Sequence, residues 1–323
     1  MHQYVSAQLK AVDEGLALLE AVVTSPLGLY SDIRMLRGTS SVQDRTKEID
    51  RLSYKDLSRN PAALALEALR SVEDAIRTIE AMDSVNPPPL DKAWIQQARR
   101  VFARIDQRVS SELRKDMISR IKGLYVIIDP EATNGRPVLQ VAEAALKGGA
   151  KVIQLRSKKQ DKGDVLPVAR QMQKLCESHG GIFFVNDHAD MAAACGAHGL
   201  HVGQHDLPIE EARRLLKSTQ LVGTSNALVQ EALDAQSKGA DYIAVGAIYP
   251  TNTKGNTRPA GLETLRKVKA SVAVPVVAIG GINESNVVEV VKAGADCVCV
   301  VSAVCSAKDP EDAARRLVAR MSA

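Results

Sequence analysis

Residues 123–129 read GLYVIID, a short apolar run that ends in a carboxylate, and seven similar runs follow it. Each run has the length and composition of a buried parallel strand, and helical stretches separate the runs. Eight such repeats predict an α/β fold, a closed (β/α)8 TIM barrel with its active site at the carboxyl ends of the strands. An open doubly wound sheet is the alternative. The other runs are AKVIQLR (150–156), GIFFVND (181–187), GLHVG (199–203), LVGTS (221–225), YIAVGAI (242–248), VPVVAIGG (274–281) and CVCVVSA (297–303).

The N-terminal part of the chain follows a different period. Apolar residues recur every three or four positions within 5–23, 65–79 and 95–109, which is typical of amphipathic helices. Pro-containing breaks separate these stretches, so residues 1–120 are predicted to form an all-helical domain of four to six helices, and residues 121–323 the barrel. The helical domain contains no Gly-rich phosphate loop and no His/Cys cluster. A structural or oligomerising role is therefore expected, with a homo-oligomer as its product.

The composition excludes several classes of function. Lys and Arg number 42 against 38 Asp and Glu, and both parts carry a similar balance, so neither is a basic nucleic-acid arm. No stretch approaches the ~18 uninterrupted apolar residues of a membrane span, and the N-terminus has no apolar signal core. The five cysteines lack paired spacing and are expected to be reduced and buried. A cytoplasmic enzyme acting on small molecules is expected, without nucleic-acid or membrane partners.

Two cations follow the second strand. Alternation along the strand places Gln154, Arg156 and Lys158 on one side, at the mouth of the barrel. Guanidinium and ammonium groups bind diphosphates, the first through paired hydrogen bonds and the second as a point charge. We therefore predict that this segment, including Leu155 and Ser157, binds an anionic substrate. The alternative is a surface Arg and Lys paired with nearby carboxylates.

Two carboxylates follow neighbouring strands. Asn186 and Asp187 end the third strand, and Asp206 follows the fourth. Carboxylates suit Mg²⁺, which takes hard oxygen ligands, keeps several waters and shares itself with substrate phosphates. A magnesium site on Asp187 and Asp206 is predicted, although Asp187 could instead cap the next helix. The histidines lack metal spacing, and His201, inside a strand, is expected to be a core or rim hydrogen-bonding residue.

The last four strands predict a second phosphate pocket. Ser225 ends the fifth strand, Gly281 follows the seventh, and Val301 and Ser302 follow the eighth. Phosphate commonly binds between the loops after strands seven and eight of such barrels. A loop of hydroxyls and one lysine follows the sixth strand and can bind phosphate oxygens, or it is an ordinary polar loop. No serine or cysteine has an obvious activating base nearby, so covalent catalysis is not predicted. The loop residues are Thr251, Asn252, Thr253 and Lys254.

Residues 123–323 resemble the thiamine-phosphate synthases. This resemblance implies a barrel that joins 4-amino-2-methyl-5-hydroxymethylpyrimidine diphosphate to a thiazole monophosphate and releases diphosphate. One departure is Asn226, where the family frequently has a small residue followed by histidine. The matching motifs, in the family's order, are QLRSK (154–158), FFVNDHADMA (183–192), GLHVGQHDLP (199–208), VGTS (222–225), IYPTNTK (248–254), VAIGGI (277–282) and VVSA (300–303).

The same resemblance implies a role for each predicted position. The residues implied to hold the pyrimidine diphosphate are Gln154, Arg156, Lys158 and Asn186, with Ser225 and Lys254 at its diphosphate end. The implied Mg²⁺ ligands are Asp187 and Asp206. The residues implied to receive the thiazole phosphate are Thr251, Thr253, Gly281, Val301 and Ser302. The implied catalytic residues are Arg156, Lys158, Ser225 and Lys254.

The helical part also resembles a known domain, and two other functions stay open. Residues 65–82 (ALEALRSVEDAIRTIEAM) are similar to a helical domain fused to some of these synthases, which implies a kinase for the pyrimidine monophosphate. A barrel isomerase or aldolase acting on a sugar phosphate would need a lysine or carboxylate base near a strand's carboxyl end, whereas Lys151 lies at the opposite end. A non-enzymatic ligand sensor would need no metal, and the pairing of Asp187 and Asp206 therefore argues against a sensor.

Overall fold

The protein is described by a computed structural model that covers residues 2–22, 30–39, 61–82, 90–250 and 259–322. It divides into two compact units, Met1–Leu113 and Arg114–Ala323. The predicted boundary at residue 120 therefore lies inside the second unit, because the last turns of a long helix belong with the barrel.

The first unit contains helices and no strand among its described residues. It contains α1 (His2–Val22), α2 (Tyr30–Thr39), α3 (Pro61–Glu80) and most of α4 (Lys92–Ser119). The apolar positions with a spacing of three and four are buried in one core, as expected for amphipathic helices that pack on one another. The Trp94 indole is buried there and donates its N–H to the Leu36 carbonyl at 3.0 Å. The helices predicted for this part from periodicity are present in the structure.

The second unit is a closed barrel of eight parallel strands in sequence order, which confirms the predicted (β/α)8 fold. Pairing of the first strand with both the second and the eighth closes the sheet and excludes the open doubly wound alternative. The strands are β1 (Gly123–Ile128), β2 (Val152–Leu155), β3 (Ile182–Asn186), β4 (Gly199–Val202), β5 (Leu221–Asn226), β6 (Tyr242–Val245), β7 (Val276–Ile279) and β8 (Cys297–Val300).

Helices lie between the strands and cover the outside of the sheet. Strand residues that point outward form one large apolar core with the inner faces of these helices. The helices are α5 (Val138–Lys147), α6 (Lys162–Ser178), α7 (Ala189–Cys195), α8 (Ile209–Leu215), α9 (Val229–Ser237), α10 (Gly261–Ser271), α11 (Val287–Lys292), α12 (Ser302–Cys305) and α13 (Pro310–Met321).

A second core fills the inside of the barrel with aromatic side chains. Tyr125, Phe184 and Tyr242 are fully buried, with ring centroids 5.3–6.3 Å apart. Two glycines make room for them: a Cβ on Gly199 would lie 2.4 Å from the Phe184 ring, and a Cβ on Gly223 would lie 2.0 Å from the Tyr242 ring. The aromatic side chains therefore close the barrel below its carboxyl end, so the site at that end has a floor.

None of the helices within the described ranges has the length and apolarity that crossing a membrane requires.

All five cysteines are free and buried, and burial raises the pKa of Cys176 and Cys305 to about 12. These thiols are therefore protonated, small apolar side chains at neutral pH.

A buried ion network lies at the amino end of the barrel. The Asp241 carboxylate, just before β6, accepts hydrogen bonds from Arg114 Nε at 3.0 Å, from the Val222 N–H at 2.8 Å and from Arg213. Arg114 also donates to the Ser218 carbonyl at 2.8 Å. Because residues at this end of such barrels lie away from the active site, the network has a structural role.

We expect Asp241→Asn to lower the free energy of unfolding by about 3 kcal/mol, because it leaves the buried Arg114 and the partly buried Arg213 without their counter-ion. Catalytic turnover of the folded variant should be unchanged. Urea unfolding and an activity assay measure the two effects, with the exposed Asp234→Asn as the control. A variant as stable as the parent would show that this ion network contributes nothing to the fold.

Candidate active site

The predicted cations lie at the carboxyl end of β2 and are held by carboxylates. The Arg156 side chain is mostly buried and pairs with Asp129, which directly follows β1. Asp129 also accepts the Glu131 N–H at 3.0 Å, so its carboxylate is fixed from two sides. The Arg156 Nε is buried without a hydrogen-bond partner in the described structure. A buried guanidinium N–H that has no hydrogen-bond partner at a barrel mouth is suited to binding an anion.

The structure separates the other residues of this segment. Gln154 points into the barrel, where only 1 % of its surface is exposed. The Leu155 side chain packs in the outer core against the helices, so only its backbone can contribute at the mouth, because alternation turns it away. The Ser157 hydroxyl donates to Gln160 at 3.0 Å within its own loop. Lys158 reaches across to the end of β3, where it pairs with Asp187.

Asp187 and Asp206 lie together, as their positions after β3 and β4 predict. Their carboxyl groups are within hydrogen-bonding distance of each other, and Lys158 pairs with the first. Burial raises the pKa of the Asp187 carboxyl, and the neighbouring Asp206 adds to this effect, whereas Lys158 opposes it. The two adjacent carboxyl groups repel each other, and the Lys158 ammonium offsets part of their negative charge.

The backbone around this pair has an unusual conformation. Asp187 has φ 62°, in the left-handed region that few side chains adopt, and its N–H donates to the His201 carbonyl at 2.8 Å. The Asp206 carboxylate accepts the Gly203 N–H at 2.8 Å. Because Asp187 turns out of the sheet, its carboxyl faces the Asp206 loop and does not cap α7, whose first residue is preceded by His188 without a side-chain cap. The capping alternative for Asp187 is therefore wrong.

A chain of hydrogen bonds crosses the inside of the barrel above the aromatic floor. Gln154 Nε2 donates to the Tyr125 hydroxyl at 2.5 Å, and the Tyr125 and Tyr242 hydroxyl oxygens are 3.2 Å apart. His201 joins Tyr242 to Ser225, with its Nδ1 2.8 Å from the Tyr242 hydroxyl and its Nε2 2.8 Å from Ser225 Oγ. The expectation that no serine has a base nearby is therefore wrong for Ser225, because closure of the barrel brings residues 201 and 225 together on adjacent strands.

The remaining predicted positions follow the last three strands. Gly281 has φ 65°, and a Cβ there would lie 2.7 Å from the Pro250 carbonyl, so the loops after β6 and β7 approach closely. Val301 is half-buried and Ser302 begins α12, so both follow β8 at the same rim. Asn186 is buried at the end of β3. The remaining four predicted positions lie outside the described residues: Thr251, Asn252, Thr253 and Lys254.

Comparisons with known proteins identify the family. The family model described as "Thiamine monophosphate synthase" matches residues 124–304, more than half of the chain. The chain belongs to the thiamine monophosphate synthase family. A thiamine-phosphate synthase of Shouchella clausii is 46% identical over 199 residues, which are 61% of this chain and 95% of that protein. The solved structure of a thiamine phosphate pyrophosphorylase from Pyrococcus furiosus aligns with a TM-score of 0.59 and 38% identity, over 64% of this chain and 98% of the other.

The helical unit is shared by at least one member of the family. A thiamine-phosphate synthase of Thermosynechococcus vestitus is 35% identical over 298 residues, which are 92% of this chain and 83% of that protein. An alignment of this length exceeds the barrel unit and necessarily extends into the helices that precede it. The members of the family to which the chain is similar are named as synthases, and the chain is accordingly a transferase.

Sequence reasoning missed three residues of this synthase-family site. The predicted residue Arg156 pairs with Asp129, and the predicted residue Gln154 donates to Tyr125. Tyr125 is in turn hydrogen-bonded to Tyr242. Asp129 ends the run GLYVIID, so its place at a strand's carboxyl end was a usable signal. The two tyrosines lie inside strands and carried no such signal, because only the barrel's closure brings β1 and β6 face to face across its interior.

We expect Asp187→Asn to abolish at least about 99 % of thiamine phosphate formation, because it removes one of the two adjacent carboxylates predicted to bind Mg²⁺. The thermal midpoint should not fall, since asparagine tolerates the left-handed backbone and the repulsion with Asp206 disappears. A thermal melt and a product assay measure the two effects. The control is Asp190→Asn, an exposed carboxylate of the same segment that pairs with Lys162. If Asp187→Asn lost activity only to the extent that it lost stability, a direct role of Asp187 in the reaction would be contradicted.

Proposed function

We propose that the barrel is a thiamine-phosphate synthase that joins 4-amino-2-methyl-5-hydroxymethylpyrimidine diphosphate to a thiazole monophosphate and releases diphosphate. The observation that carries this proposal is the meeting of two cations with two adjacent carboxyl groups at the ends of β2, β3 and β4. Membership of the thiamine monophosphate synthase family supports the substrates.

The acidic pair fits Mg²⁺. Asp187 and Asp206 offer hard oxygen ligands, and the described part of the chain has no group of three or more His, Cys, Asp or Glu side chains that could hold a metal ion. Two protein carboxylates leave coordination positions for water and for substrate phosphate oxygens, which is how Mg²⁺ is usually held. Bound there, the metal would neutralise negative charge on the diphosphate.

The proposed reaction breaks the bond between the pyrimidine methylene carbon and the diphosphate oxygen, whose electrons leave with the diphosphate. The electron-rich aminopyrimidine stabilises the resulting carbocation, and the thiazole nitrogen then forms the new bond to the methylene carbon. Arg156 and Lys158 stabilise the negative charge that grows on the departing oxygen. Removing one preorganised contact of this kind typically costs about 3 kcal/mol, or on the order of a hundredfold in rate.

The second pocket is proposed to hold the thiazole phosphate. Gly281, Val301 and Ser302 lie after β7 and β8, the usual place for phosphate in such barrels. From the family resemblance we propose the same ligand for the loop residues Thr251 and Thr253. Lys254 is proposed to contact the diphosphate end of the pyrimidine substrate, and Asn252 is proposed to bind substrate. This arrangement sets the thiazole beside the pyrimidine within one mouth.

Mixing the full chain with both substrates should yield thiamine phosphate, detected by mass spectrometry, only when Mg²⁺ is present. Chelation of the metal should stop product formation, and re-addition of Mg²⁺ should restore it. A sugar-phosphate isomerase or aldolase would instead convert a sugar phosphate in the absence of the pyrimidine and thiazole substrates. A ligand sensor would bind a ligand but form no product. Product formed at an unchanged rate after chelation would contradict the proposed role of the acidic pair.

We further propose that the helical unit phosphorylates the pyrimidine monophosphate, which would supply the diphosphate to the barrel. The support is the resemblance of residues 65–82 to a domain fused to other synthases, and the alignment that extends into this unit. Incubation of the full chain with ATP and the pyrimidine monophosphate should produce the diphosphate, seen by phosphorus NMR. Asp187→Asn should retain this activity while it loses thiamine phosphate formation. Absence of ATP-dependent diphosphate formation in the full chain would contradict the second activity.

A further inference from the structure

Five side chains in the barrel interior, those of Gln154, Tyr125, Tyr242, His201 and Ser225, form one chain of hydrogen bonds. Its two tyrosines are fully buried, and burial raises the pKa of each phenol well above its usual range. Both phenols are therefore neutral at pH 7, so each has a single proton to donate. When each group in such a chain donates to one neighbour and accepts from the other, all the hydrogen bonds point the same way along the chain. Two directions are then possible.

The orientation of Gln154 decides between the two directions. In the structure its Nε2 donates to the Tyr125 oxygen. With this orientation we infer that Tyr125 donates its proton to Tyr242, and that Tyr242 donates its proton to His201 Nδ1. A neutral His201 then has its proton on Nε2 and donates it to Ser225 Oγ. The Ser225 hydroxyl proton is directed away from His201.

A rotation of the Gln154 amide by half a turn reverses every bond. The amide oxygen would then accept from Tyr125, Tyr242 would donate to Tyr125, and His201 would donate from Nδ1 to Tyr242. The Ser225 proton would point at His201 Nε2 and would be unavailable to a ligand. The direction of the chain thus determines whether Ser225 is a donor at the mouth of the barrel.

One end of this chain has an unused acceptor. Gln154 Oε1 is buried in a side chain that is 1 % exposed, and it has no hydrogen-bond partner in the described structure. A buried carbonyl oxygen without a partner is unfavourable, so a ligand that brings an N–H donor to it is favoured. A donor on Oε1 also holds Nε2 toward Tyr125, which fixes the outward direction.

We propose that an N–H donor of the bound aminopyrimidine on Gln154 Oε1 fixes the direction of this chain and thereby turns the Ser225 hydroxyl proton toward the diphosphate. This inference rests on the proposed function and goes beyond it by coupling the two ends of the same substrate. Tyr125, Tyr242 and His201 are positioning residues in this account, because they act on the diphosphate only through Ser225. A substrate without the donor leaves Ser225 oriented either way.

The direct test is the position of the His201 proton. Full chain labelled with nitrogen-15 in its histidines is observed by NMR with pyrimidine diphosphate and Mg²⁺ but without the thiazole, and the His201 signals are those lost in His201→Gln. We expect the neutral form protonated on Nε2. Protonation on Nδ1, or on both nitrogens, would overturn the proposal. Calorimetry on the same sample separates the two claims, since absence of binding would instead contradict the proposed function.

A variant tests the effect on the reaction. Tyr242→Phe keeps the ring that fills the space beside Gly223 but removes the proton given to His201. We expect turnover to fall about 10- to 100-fold, with the dissociation constant of pyrimidine diphosphate changed less than about threefold, because orientation of one charge-stabilising donor is lost. The matched control is Tyr249→Phe, whose hydroxyl donates to Glu289 at 3.0 Å outside the chain of bonds.

Unchanged turnover in folded Tyr242→Phe would overturn the coupling, as would an equal loss in Tyr249→Phe. A thermal melt establishes whether each variant folds. If Tyr242→Phe does not fold, the His201 proton position in the unaltered chain decides the question alone.

Discussion

All eight strands of the barrel run in the same direction and close on one another, and this constraint determines where every functional side chain lies. Each strand delivers its last residue to one rim, so groups separated by up to 170 or so positions in sequence meet around a single mouth. The cations after β2 and the carboxylates after β3 and β4 are brought together by this geometry alone. The opposite rim carries the buried network of Asp241, which holds the fold and takes no part in the site.

The barrel interior connects the rim to the core. Three aromatic side chains fill the middle of the barrel, and the absence of a side chain at Gly199 and Gly223 makes that packing possible. Two of those rings carry hydroxyl groups, so the top of the apolar floor is also the polar chain that ends at Ser225. The same residues thus stabilise the barrel and orient groups at its mouth, and a substitution there affects both properties.

The fold and much of the site could be predicted from the sequence because strand ends are visible in it. Arg156 and Asp187 end apolar runs and Asp206 follows the fourth run within three residues, and parallel closure places them together. The pairing of Asp129 with Arg156 was not predictable, since it depends on the register of Ile128 beside Leu155. Predicting the contact between Ser225 and His201 would require the same knowledge of strand register. The division between the two units has no signal in the sequence, because α4 continues without a break in its period from one unit into the next.

We propose that these rim residues hold one diphosphate together with one metal ion. The decisive experiment is a crystal structure of the full chain with pyrimidine diphosphate and Mg²⁺, without the thiazole. We expect diphosphate oxygens against Arg156 and Lys158, and the metal between the diphosphate and the carboxylates of Asp187 and Asp206. A diphosphate bound away from these side chains, or bound there with no metal on the two carboxylates, would contradict it.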